Sequence, residues 1–82
     1  MNLYLLTQYV NNDYDTYDSC VVAAADEESA RRTHPGREKS AWDDDYYARK
    51  TWARPHEVTV SLIGTAKEGT AAGVVLASFN AG

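Results

Sequence analysis

The most regular hydrophobic pattern in the chain runs over residues 57–64, where Val58, Val60 and Leu62 alternate with polar neighbours. A period of two residues is typical of a half-buried β-strand, because successive side chains point to opposite faces of a sheet. Three further segments, 3–10, 19–25 and 74–79, are rich in aliphatic or aromatic residues and predict strands as well. We therefore expect a four-stranded sheet.

Turn residues predict how these strands are connected. Asn11-Asn12-Asp13 follows the first strand, and an acidic, tyrosine-bearing loop at 14–18 leads into the second. This connection is too short for a crossover, so the first two strands should pair as an antiparallel hairpin. Residues 67–73 contain Gly69 and Gly73 and predict a second hairpin between strands three and four.

Helix signals occupy the middle of the chain. Asp26 is a suitable N-cap, and Pro35-Gly36 is a stop signal, so a first helix is predicted over 27–34. Ser40-Ala41-Trp42-Asp43 fits a capping box and predicts a second helix over 41–52. The aromatic residues of the second segment do not form one clean stripe, so an irregular segment is the alternative there.

These elements predict an α+β fold in the order β-β-α-(α)-β-β, an antiparallel four-stranded sheet with helical cover on one face. The 82 residues are too few to divide into two cores, so we expect one domain over 1–82. Its core should be thin, which excludes a large enclosed cavity. No apolar run approaches the roughly 20 residues that cross a bilayer, and Met1-Asn2-Leu3-Tyr4 lacks a basic leader region. A cytoplasmic protein without membrane contact is expected.

The net charge of −4 conceals a segregation of charge along the chain. Residues 1–30 contain six acids and no Lys or Arg, whereas residues 31–56 contain seven bases against four acids. An acidic surface repels nucleic acid and attracts a cationic protein surface. The ordinary alternative is a solvated acidic loop beside a solvated basic segment.

Few residues of the chain could carry chemistry. Cys20 is the single cysteine and lies in an apolar run, so it should be a buried small hydrophobe. His34 and His56 stand 22 positions apart and match no metal-ligand or catalytic spacing. We expect no catalytic residue, no metal site and no cofactor, and infer that the chain is not an enzyme.

The acidic loop resembles a calcium-binding loop only at first sight. Asp13-x-Asp15-x-x-Asp18 begins such a pattern, but Tyr17 and Asp18 occupy its fifth and sixth positions and Ala24 its twelfth. An EF-hand is therefore excluded, and weak incidental cation binding is all that the pattern leaves open.

Aromatic residues interleave with acids in two segments. Exposed Tyr and Trp are favoured at protein interfaces, and neighbouring carboxylates can pair with Arg or Lys of a partner. The alternative is that the tryptophans seal the thin core while the aspartates stay in water. The candidate partner-binding residues are Asp13, Tyr14, Asp15, Tyr17, Asp18, Trp42, Asp43, Asp44, Asp45 and Tyr46.

Several motifs together suggest a family. Leu3-Tyr4-Leu5-Leu6-Thr7-Gln8, Tyr14-Asp15-Thr16-Tyr17-Asp18-Ser19, Val21-Val22-Ala23-Ala24, His34-Pro35 and Leu76-Ala77-Ser78-Phe79-Asn80 resemble small uncharacterised phage and prophage-type bacterial proteins. The layout of strands and helix is also similar to that of some small anti-CRISPR proteins. These likenesses imply a small α+β fold and assign no active-site residue.

Two functions of different classes follow. The first is a non-enzymatic interaction protein, of the type of a phage inhibitor of a bacterial defence or nucleic-acid-handling complex, whose acids occupy basic residues of the partner. The alternative is a nucleotide-like ligand-binding or sequestering module, with a site between subunits of a homo-oligomer. The residues suited to that ligand site are Tyr46, Arg49, Trp52 and Arg54.

Overall fold

The computed structural model describes residues 1–36 and 50–81. Within them lie four strands, one short α-helix and one 3-10 turn. In chain order the elements are β1 (Asn2–Thr7), β2 (Thr16–Ala24), α1 (Glu27–Arg31), the 3-10 turn (Pro55–Glu57), β3 (Thr59–Thr65) and β4 (Gly73–Asn80). The strands form one antiparallel sheet, which confirms the predicted four-stranded antiparallel arrangement.

The hairpin predicted for the first two strands is confirmed. β1 and β2 pair antiparallel, from Asn2 opposite Ala24 to Thr7 opposite Ser19. The predicted bounds were wrong at the turn: β1 ends at Thr7 rather than at residue 10, and β2 begins at Thr16. Residues 16 and 17, assigned to a loop from their sequence, join the sheet because the end of β4 pairs with them.

The second predicted hairpin was wrong. β3 pairs with β1, and β4 pairs with β2, so the strand order is β3-β1-β2-β4 and the last two strands lie at opposite edges. The connection after β3 crosses the end of the first hairpin, where the N–H of Ala66 donates to the carbonyl of Met1 at 2.9 Å. Gly69 and Gly73 both have positive φ, as expected for glycines that reverse the chain. The connection after β3 reverses the chain, but the two strands that it joins are not neighbours in the sheet.

The hydrophobic core lies on one face of the sheet. Alternate residues of β1 and β2 point to this face, where α1 and residues 52–58 pack against them. Trp52 is fully buried there, and burying about 200 Å² of its surface contributes roughly 5 kcal/mol as an upper bound. The cluster consists of Tyr4, Leu6, Cys20, Val22, Ala24, Ala30, Trp52, Ala53 and Val58.

Helix α1 is shorter than predicted. The N-cap assignment to Asp26 is confirmed, because its carboxylate accepts the N–H of Ser29 at 2.8 Å. The predicted helix extended to residue 34, but α1 ends at Arg31. After the helix the chain turns, and His34 is buried.

The second predicted helix, 41–52, lies mostly outside the described residues. Of that segment the structure describes residues 50–52, of which Lys50 and Thr51 are helical. What covers the sheet in the described residues is therefore one short helix, the 3-10 turn and irregular chain. In residues 1–36 and 50–81, no helix is long and apolar enough to cross a membrane.

Candidate functional site

The segment at one end of the sheet, residues 9–18, presents large and acidic side chains to solvent. We call it the tip. Tyr9 and Tyr14 are 76% and 73% exposed, and Val10 is exposed as well. Exposed aromatic side chains are favoured at protein interfaces.

Gln8 holds the tip in one conformation. This residue is 2% exposed, and its amide fills all of its hydrogen-bonding positions. Its Nε2 donates to the carbonyls of Asn11 at 2.8 Å and Tyr17 at 2.9 Å. Its Oε1 accepts the N–H groups of Val10 at 3.0 Å and Asn11 at 2.8 Å. One buried side chain therefore bridges the end of β1, the turn and the start of β2.

Two further contacts tie the tip to the rest of the molecule. The side chain of Asn11 donates to the carbonyls of Lys50 at 2.6 Å and Trp52 at 3.1 Å. On the other side, the N–H of Asp15 donates to the carbonyl of Asn80, at the end of β4, at 2.6 Å. The tip is thus anchored both to residues 50–52 and to β4.

Asp15 adopts a backbone conformation that few residue types tolerate. Its φ is 61°, in the left-handed region, which Asp and Asn tolerate better than other non-glycine residues. Next to it, the hydroxyl of Thr16 donates to the carbonyl of Asp13 at 2.6 Å. The side-chain amide of Asn80 donates to the same carbonyl at 3.3 Å. These bonds hold the sharp turn that directs Tyr14 outward.

Three carboxylates belong to the tip, as does the exposed Tyr14. Asp13, Asp15 and Asp18 are all exposed. Among residues 1–36 and 50–81 the ion pairs involve Arg31 and Arg32 with the acids of α1, and none involves a carboxylate of the tip. The negative charge of the tip is therefore available to a partner.

Tyr17 differs from the other predicted tip residues. It is half-buried, with its ring 4.8 Å from that of Phe79 and 6.1 Å from that of His34, centroid to centroid. Its phenol also lies close to Gly36. The sequence pattern placed it beside Tyr14, but the structure makes it a packing residue that joins the tip to the core.

The remaining candidates divide by whether the structure describes them. Five predicted partner-binding residues lie outside the described residues: Trp42, Asp43, Asp44, Asp45 and Tyr46. Two residues of the alternative ligand site, Tyr46 and Arg49, lie outside them as well. Trp52 of that alternative is fully buried, so its ring offers no surface for stacking a ligand, and Arg54 is exposed.

Sequence reasoning missed Gln8, Tyr9 and Val10. All three were assigned to the first strand because they follow its apolar run without interruption. A polar Gln three positions before the Asn-Asn-Asp turn was the available signal, since a polar side chain near a turn can bond to the backbone. That signal does not indicate that the side chain is buried.

The cysteine and the two histidines carry the reactive side chains, and the structure shows the surroundings of each. Cys20 is buried, which confirms the expectation of a buried small hydrophobe, and its burial raises the pKa of the thiol to about 12. The Nδ1 atom of His34 accepts the N–H of Gly36 at 2.9 Å, so a neutral ring carries its proton on Nε2, which lies 3.3 Å from the hydroxyl of Thr51. His56 is exposed in the 3-10 turn. In the described part of the chain, no three His, Cys, Asp or Glu side chains form a group that could hold a metal ion.

Comparisons of the chain with protein-family models, with curated proteins and with solved structures each found no match.

Proposed function

We propose that this protein is a non-enzymatic interaction protein that binds a basic surface of a partner protein through its tip. The observation that carries the proposal is the exposed Tyr14, 73% accessible, held between the exposed carboxylates of Asp13 and Asp15 on an anchored turn. An aromatic side chain supplies contact area, and carboxylates beside it select for Arg and Lys.

The hydrogen bonds of Gln8 contribute to binding as well as to folding. Ordering a mobile side chain at an interface costs about 0.5–1.5 kcal/mol, and ordering a loop costs more. Because Gln8 bonds to three residues of the tip, the main chain of the tip is already ordered before a partner binds. A small protein with a thin core can in this way present a rigid binding surface.

The two kinds of side chain have different roles. Exposed ion pairs contribute only about 0.2–1 kcal/mol each, so the three carboxylates together contribute about 0.6–3 kcal/mol, which is roughly 3- to 150-fold in affinity. Their larger effect is on the association rate, which depends on ionic strength. A central aromatic anchor contributes about 2 kcal/mol or more, so Tyr14 should determine how long the complex persists.

The partner class that we propose is a bacterial defence or nucleic-acid-handling protein, in the cytoplasm of a bacterial host. Lys and Arg that contact phosphate in such a protein would pair with the tip instead, so the mechanism is occlusion. The resemblance to small phage-type proteins and to the layout of some anti-CRISPR proteins supports this class. Under this mechanism the protein itself makes no contact with nucleic acid.

The proposal includes a second acidic and aromatic segment. The predicted helix over 41–52, as part of the helical cover of the sheet, would carry Trp42, Asp43, Asp44, Asp45 and Tyr46. The described chain resumes at Lys50, whose carbonyl accepts a hydrogen bond from Asn11 of the tip.

The experiment is affinity capture from bacterial lysate with three tagged proteins: the parent, Tyr14→Ala and Asp13→Lys. Glu68→Lys is the matched control, since it makes the same charge reversal in the connection at the opposite end of the sheet. Captured proteins are identified by mass spectrometry, and the purified candidate is then titrated at low and high salt.

We expect one stoichiometric protein that Tyr14→Ala loses, that Asp13→Lys weakens mainly at low salt, and that Glu68→Lys retains. Circular dichroism of each variant confirms that the fold is intact. Equal capture by all four proteins, or loss in Glu68→Lys alone, would contradict binding through the tip. In the ligand-binding alternative, the buried Trp52 offers no surface for stacking. A thermal shift of the protein with nucleotides is the measurement that would support that alternative.

A further inference from the structure

We draw no further inference here: the strongest candidate, the exposed apolar patch on the edge strand β4 formed by Val74, Val75, Leu76 and Phe79, carries no proposal because nothing in the structure shows what covers it.

Discussion

Replacing Gln8 by Met should destabilise the protein more than any surface substitution. The two side chains are similar in length and volume, so the change removes hydrogen bonds without creating a large cavity. Gln8 is buried, and its amide makes four hydrogen bonds to main-chain groups between residues 10 and 17. Met can replace none of them.

The magnitude follows from those bonds. Each contributes about 0.5–1.5 kcal/mol net, which gives roughly 2–6 kcal/mol for four. Val10 is exposed and Asn11 is half-buried, so their N–H groups can bond to water once the tip relaxes, and the lower half of this range, about 2–4 kcal/mol, applies. A chain of 82 residues has about 4–12 kcal/mol of total stability. We therefore expect Gln8→Met to remove about a third of it.

Urea unfolding followed by tryptophan fluorescence measures the change, because Trp52 is buried in the folded protein. With an m-value of about 1 kcal/mol/M for a domain of this size, the midpoint should fall by roughly 2–4 M at unchanged m. Asn12→Ala is the control, since its side chain makes one long, exposed hydrogen bond, 3.3 Å to the carbonyl of Tyr9. Its loss should stay within about 0.5 kcal/mol. If Gln8→Met loses no more stability than Asn12→Ala, and hydrogen exchange at Val10 and Asn11 is unchanged, Gln8 does not organise the tip.

Three further predictions concern packing, capping and the thiol. Gly36→Ala should cost about 1–3 kcal/mol in urea unfolding, because its Cβ would lie 2.8 Å from the phenol oxygen of Tyr17, whereas Gly64→Ala, with nothing within 4 Å of its Cβ, should be neutral. Asp26→Ala should lower the Tm at neutral pH. The N-cap hydrogen bond holds the pKa of the Asp26 carboxyl below its usual range, so this stabilisation is present above about pH 4 and is lost as pH falls through the lowered value. A thermal-unfolding difference that persisted unchanged in acid would contradict this. Cys20, with its pKa raised to about 12, should react with a thiol reagent only in urea, and labelling of the folded protein would refute its burial.

The local features of this fold follow from the sequence alone. Alternation in Val58, Val60 and Leu62 specified a strand, and a short polar connection specified the first hairpin. Asp26 specified the start of α1, and the apolar run around Cys20 specified its burial. Each of these depends on neighbours within a few residues, where periodicity and hydrogen-bonding chemistry act directly.

The tertiary structure decided what lies next to what. Glycines with positive φ in the connection after β3 allow a reversal but do not select a partner strand, and β4 pairs with β2 instead of β3. The same pairing draws residues 16 and 17 into the sheet and leaves the ring of Tyr17 against Phe79. Burial of Gln8 likewise depends on Tyr17 and Asn11 arriving on either side of it. Closing a somewhat longer loop costs little extra entropy, so the turn after β3 does not fix which strand β4 pairs with, and that choice involves the whole chain.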